Sequence, residues 1–263
     1  MTARLKKIAY LSFFTLIPFF FWILPGEILH AAMLFLLGII YILAKYIKTL
    51  SIFNDALEIL FLFFLLQYFN AKSGLDRFFP LNLVITFTVL YFYLRPLRKF
   101  KAAELNLVKG KIKNSILIGI VFSLLSVAAL AAWFLLQKGN PYAAMIPAVP
   151  KLLLIPMGLG FAAINAVYEE FIFRSVLLSV FSKTVGLASA LILQAIWFSF
   201  LHYQVGFPSG IIGVGLTFIF GLALGYLVKR TRGLFVPVSI HFFADFSIFV
   251  LIVARMNGWV SGA

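Results

Sequence analysis

The chain has 263 residues, 63% of them hydrophobic and only 11% charged, with a formal net charge of +14. A composition this apolar lies far outside the range of soluble domains, and its apolar stretches are continuous rather than alternating, which excludes an outer-membrane barrel. There is no cysteine, which excludes disulfides, thiolate metal sites and a cysteine nucleophile.

In chain order, apolar segments at 8–25, 28–45, 52–69, 79–95, 115–137, 152–182, 185–203, 210–228 and 235–255 read as spans, since a helix needs about 20 residues to cross a bilayer core. The expected fold class is an all-α polytopic membrane protein, a bundle of about eight to nine transmembrane helices. Met1 to Lys7 followed by an apolar run is reminiscent of a signal peptide. No small-residue cleavage site follows, however, and Leu24-Pro25-Gly26 leads into the next span. The first helix is therefore expected to be retained. His30 is expected at an interface. Asp55 and Glu58 follow Ser51 and Asn54 near the start of the third span, where acids complement the helix dipole.

The segment 95–114 is basic and divides the chain. Residues 1–114 read as N-terminal transmembrane helices plus a basic cytoplasmic loop, and residues 115–263 as a second transmembrane bundle that holds the polar side chains of the late spans. With the N-terminus cytoplasmic, the inside segments hold Arg4, Lys6 and Lys7; Lys45 and Lys48; Arg95, Arg98, Lys99, Lys101, Lys109, Lys111 and Lys113; Lys183; Lys229, Arg230 and Arg232. These are 16 of the 22 basic residues. The outside segments hold Lys72, Arg77, Lys138, Lys151 and Arg255, and Arg174 lies within a span. The positive charge thus reads as a positive-inside pattern facing the lipid bilayer, with no nucleic acid partner. The segment 152–182 strains the scheme, because it would make a helix of about 46 Å against a core of about 30 Å. Pro156, Gly158 and Gly160 are candidates to break it, and eight spans is the alternative.

Polar side chains inside late spans carry the functional argument, because such groups are costly in lipid and mark functional sites. In Asn165-Ala-Val-Tyr-Glu169-Glu170-Phe-Ile-Phe-Arg174, residues four apart share a helix face. Asn165 pairs by face with Glu169, and Glu170 with Arg174. The two glutamates point about 100° apart and so have different jobs. Glu170 with Arg174 reads as an internal ion pair, and Glu169 as the carboxylate available for proton abstraction. A structural polar knot is the competing reading. In Trp197-Phe198-Ser199-Phe200-Leu201-His202, Phe198 lies one turn before His202, where it can hold the imidazole and exclude water. In His241-Phe-Phe-Ala-Asp245, the spacing lets Asp245 orient the His241 ring.

The His-Glu-x-x-His zinc motif and the Gly-x-Ser-x-Gly elbow are absent. Ser239 and His241 point to different faces, against a serine–histidine dyad. A metal held by Glu169, His202 and His241 is stereochemically conceivable.

Together the three segments resemble the CPBP family of intramembrane proteases (CAAX proteases and bacteriocin-processing enzymes, also called Abi). The pattern Glu-Glu-x-x-x-Arg, Phe-x-x-x-His and His-x-x-x-Asn/Asp occurs in order as Glu169-Glu170-x-x-x-Arg174, Phe198-x-x-x-His202 and His241-x-x-x-Asp245. The resemblance covers roughly residues 155–250 and implies a glutamate-dependent endopeptidase without a cofactor. By carry-over, Glu169 and His202 would activate the attacking water, and His241 with Asp245 would stabilise the oxyanion. Glu170, Arg174, Phe198 and Asn165 would support them. CAAX-type members commonly carry Asn where Asp245 stands. An ionised Asp cannot donate, so Asp245 would then orient His241, and only a protonated Asp245 would donate itself. The expected partner is a membrane-associated peptide or protein, with lipidated tails among the candidates. The expected location is a prokaryotic cytoplasmic membrane. A non-catalytic scaffold or bacteriocin self-immunity protein using the same polar cavity is the alternative. A proton-coupled transporter is disfavoured, because no inverted repeat is visible.

Overall fold

The computed structural model describes residues 3–23, 26–75, 80–112, 115–137, 142–146, 148–204 and 206–259. Met1, Leu24, Pro25, Arg77, Lys113 and Lys138 lie outside them. Among the described residues every regular element is a helix. In order these are α1 (Ala3–Pro18), α2 (Glu27–Tyr46), α3 (Asn54–Ser73), α4 (Leu81–Phe92), α5 (Ile116–Leu135), α6 (Lys151–Glu169), α7 (Leu178–Val185), α8 (Leu187–Leu201), α9 (Gly210–Thr231) and α10 (Phe235–Met256). Among the described residues six helical stretches are long and apolar enough to cross a membrane, including Lys151–Val185 and Phe235–Met256. Three shorter apolar helices, Ile8–Ile23, Leu81–Leu97 and Leu187–Leu201, accompany them. These stretches coincide with the nine segments read from sequence. The chain is an all-α, polytopic, integral membrane protein.

Among the described residues three stretches are π-helical: Phe19–Ile23, Tyr93–Leu97 and Glu170–Leu177. Proline accounts for the first two, since Pro18 immediately precedes one and Pro96 lies inside the other and each removes a backbone donor. The third contains no proline and begins at the second glutamate of the Glu-Glu pair. Single π turns are frequent at functional sites. The helix Lys151–Val185 is not broken by Pro156, Gly158 or Gly160; it runs through all three for 35 residues, about 52 Å at helical rise. Pro156 removes only the bond to the Leu152 carbonyl, near the helix start.

The chain divides into two compact units, one of Met1–Leu107 with Phe171–Tyr226 and the other of Val108–Glu170 with Leu227–Ala263. The first is organised around aromatic side chains from α1, α3, α7 and α8. Phe14, Phe64, Phe181 and Trp197 are buried, with Phe14–Phe181 and Phe181–Trp197 ring centroids 5.2 and 5.8 Å apart. The Trp197 indole donates to the Phe14 carbonyl at 2.8 Å. That carbonyl lies four residues before Pro18, which has no N–H to give it, so proline and tryptophan are matched. Asp55 and Glu58 do more than complement a helix dipole. Arg98 reaches Asp55 at 2.6 Å and Glu58 at 3.1 Å, and the Tyr41 hydroxyl donates to Glu58 at 2.8 Å.

In the second unit α10 packs on both α5 and α6. Small residues on α6 allow close approach: Ala162 and Ala166 are fully buried, and a Cβ on Gly158 would fall 2.5 Å from the Phe249 ring. Membrane helices come together this way, because lipid supplies no hydrophobic drive between them. Arg255 donates to the Phe134 and Gln137 carbonyls at the end of α5, at 2.7 and 3.0 Å, and so caps that helix.

Candidate active site

In the second unit, four ionisable side chains and one amide meet, from α6, from Glu170 immediately after it, and from α10. The helical period puts Asn165 and Glu169 on one face of α6, and His241 and Asp245 on one face of α10. The imidazole of His241 is the hub. Its Nδ1 is 2.8 Å from Glu170 Oε1, a buried hydrogen bond. Its Nε2 is 3.3 Å from Glu169 Oε2 and 3.6 Å from Asp245 Oδ1. These two are ion-pair approaches, and the longer exceeds hydrogen-bond range. Asn165 Nδ2 donates to the other Asp245 oxygen at 3.1 Å. Glu169, Glu170, His241 and Asp245 are 9, 0, 3 and 5% exposed.

Each contact has a chemical consequence. A ring nitrogen donates only when it carries a proton, and a carboxylate faces His241 at both. Glu170 on Nδ1 fixes the ring plane and directs Nε2 toward Glu169 and Asp245. Asp245 spends one oxygen as an acceptor for Asn165 and turns the other toward His241. Counting residues from the inner ends near 183 and 232 puts Glu169 about 21 Å and His241 about 14 Å deep, yet the two side chains touch. The loop ends are not level reference points, since one helical run continues to Val185 and α10 begins at Phe235.

The remaining motif residues gather in the first unit. His202 ends α8, and its Nδ1 is 2.9 Å from the Phe198 carbonyl. A carbonyl only accepts, so Nδ1 carries the proton, and in the neutral ring Nε2 keeps its lone pair as a base. The Phe198 ring centroid lies 4.7 Å from that of the imidazole. Phe198 thus holds His202 through both its carbonyl and its ring, and the Arg174 guanidinium lies 4.3 Å from the Phe198 centroid.

Two residues that sequence reading passed over complete this cluster. Gly206, at φ +111°, closes over the ring, and a Cβ there would fall 2.8 Å from His202 Cδ2. Its signal was the Gly206-Phe-Pro turn four residues after the histidine. Asn106 donates to the Arg174 carbonyl at 3.1 Å and to Ser179 Oγ at 3.2 Å; nothing in the surrounding basic loop marked it. Among the described residues, no group of three or more His, Asp or Glu side chains is arranged to hold a metal ion.

Residues 151–247 match the family model described as type II CAAX prenyl endopeptidase, Rce1-like. Over this stretch the chain is similar to that family. All three motifs lie inside it, and the match points to a protease acting on a membrane-associated protein. Searches of curated proteins and of solved structures give no significant match.

Proposed function

We propose that this chain is an intramembrane endopeptidase that hydrolyses a peptide bond of a membrane-associated protein or tail. The observation that carries the reading is the His241 ring, buried and flanked at its two nitrogens by Glu170 and Glu169. Such an arrangement suits a donor aimed at developing negative charge in a low-dielectric site.

Glu169 takes a proton from water, and the hydroxide oxygen bonds to the scissile carbonyl carbon. The carbonyl π pair moves to oxygen, where His241 Nε2–H donates to the oxyanion. When the intermediate collapses the C–N bond breaks, and the leaving nitrogen receives the proton from Glu169. His202, with its Nε2 lone pair, is the second water-activating group, a role taken from the motif resemblance. Glu170 positions His241. The acceptor role of Asp245 toward Asn165 supports its steering of His241 rather than donation of its own. Arg174 and Phe198 hold His202.

The substrate class we favour is a prenylated carboxyl-terminal tail, after the activity of the matched family. The basic-residue asymmetry supports a cytoplasmic N-terminus, and the compact, loop-poor layout favours a prokaryotic cytoplasmic membrane. The test is cleavage of a farnesylated peptide by the purified chain in proteoliposomes. Glu169→Gln is expected to lower the rate by about 10³-fold with membrane insertion unchanged, and His202→Ala to do the same. Full activity in either variant would end the assignment. The scaffold reading instead expects Glu169→Gln to preserve the cellular role.

A further inference from the structure

A groove of about 370 Å³ runs along the second unit between α5 and α10. Its walls include Ile116, Gly119 and Ser123 from α5, and Val236, Ile240 and Phe243 from α10. It opens on a different side of α10 from the candidate active site: Ile240 lines it, and His241 is turned about 100° away. The walls suit hydrocarbon. Ser115 and Ser239 also line the groove, but their hydroxyls donate to the Lys111 and Phe235 carbonyls of their own chain segments, at 3.3 and 2.8 Å. Gly119 widens the groove, since a Cβ there would reach Val236 Cγ1 at 3.4 Å. Its α5 wall, from Ile116 to Leu124, is about 12 Å long, close to one leaflet of a bilayer core about 30 Å thick.

Basic residues adjoin one end of the groove in sequence, Lys111 next to the lining Ile112 and Arg232 three residues before the lining Phe235. Segment 108–111 is clasped to segment 231–234 through Lys111 N–H to the Thr231 carbonyl (2.6 Å) and Leu234 N–H to the Val108 carbonyl (3.2 Å). The clasp needs glycine on both sides: a Cβ on Gly110 would fall 2.5 Å from the Thr231 oxygen, and one on Gly233 2.3 Å from the Val108 oxygen. It holds the exposed Lys109, Lys111 and Arg232 beside the starts of α5 and α10, and no acid occurs in residues 108–112 or 229–236. A hydrocarbon slot one leaflet long, with a cationic end, is complementary to a single amphiphilic anion.

We propose that this groove binds one anionic phospholipid of the bilayer, its acyl chain along α5 and α10 and its phosphate at Lys111 and Arg232. Basic pockets between membrane helices recognise anionic headgroups in this way.

The test is native mass spectrometry of the full chain in detergent, titrated with palmitoyl-oleoyl phosphatidylglycerol or the matching phosphatidylcholine; it does not depend on protease activity. Phosphatidylglycerol is expected to bind at least tenfold more tightly. Lys111→Gln and Arg232→Gln should each lose about fivefold of that preference. Ser123→Phe should remove retention of both lipids by filling the groove, and Gly119→Ala, which reaches only ordinary contact, provides a milder narrowing should Ser123→Phe misfold. Equal affinity for the two lipids would overturn the proposal, as would unchanged retention in the charge variants or in whichever groove variant folds. Displacement of phosphatidylglycerol by equimolar farnesylated peptide would also overturn it, by assigning the groove to substrate.

Discussion

Among the described residues two clusters of ionisable side chains link helices, and they differ in kind. In the first unit Arg98 gathers Asp55 and Glu58 at a helix end, with side chains 37, 43 and 18% exposed. Water reaches that cluster, and a guanidinium with a fixed charge fits two carboxylates. In the second unit the partners gathered around His241 are three carboxylates, and the side chains of Glu169, Glu170, His241 and Asp245 are only 12, 0, 4 and 7% exposed. Burying three acids around one titratable ring is a poor way to join helices, because desolvation outweighs much of the attraction. The contrast separates a clasp from a candidate reaction centre. Helix joining uses exposed, charge-matched groups, whereas proton transfer needs groups held dry and poised between protonation states.

That contrast can be broken by substitution. His241→Ala should reduce cleavage by about 10²–10³-fold, the cost of losing an oxyanion donor, with the detergent-solubilised fold retained; a loss below tenfold would place the oxyanion elsewhere. Glu170→Gln should cost on the order of 10²-fold in kcat with little change in KM, since the ring loses its orienting acceptor. A purely structural Glu170 would lower the yield of folded protein and leave kcat per folded molecule unchanged. Asp245→Asn should stay within about tenfold of the parent, because Asn still accepts and can also donate, whereas Asp245→Leu should approach His241→Ala. For the Arg98 cluster, Arg98→Ala should lower stability by about 1 kcal/mol and leave turnover per folded molecule intact.

The smallest effect concerns Glu104, in the basic loop of the first unit. The Lys101 backbone N–H, and then the Lys183 ammonium, hold its carboxyl below the ordinary value of 4.5. The ionised form is therefore favoured by folding. Its contribution is fully present above about pH 4.5 and is lost as pH falls through the lowered folded value. Glu104→Gln should flatten the acid limb of a thermal-stability profile slightly and leave neutral-pH stability within error, as expected for an exposed pair.

The helices were legible because hydrophobicity over about 20 residues is a local property, and nine segments read from sequence reappear as apolar helices. The motif residues were legible for a related reason. A carboxylate or imidazole in an apolar run stands out in one dimension, and a spacing of four shows which neighbours share its face. Their partners were not. The hydrogen bond from His241 to Glu170 joins residues 71 apart, and that from Asn165 to Asp245 joins residues 80 apart. The sequence also assumed α-helical spacing beyond Glu169, where the helix is π-helical.

By itself, then, the sequence determined that this is a polytopic helical membrane protein, and which polar side chains its late spans carry. Only the tertiary structure decided that His241 takes a glutamate at each nitrogen, that Asn165 holds Asp245, and that Phe198 and Gly206 enclose His202. Burial in lipid follows from local composition. Which polar groups satisfy one another depends on helix rotation, on close approach through Gly158, Ala162 and Ala166, and on a local change of helical pitch, none of which a linear pattern encodes.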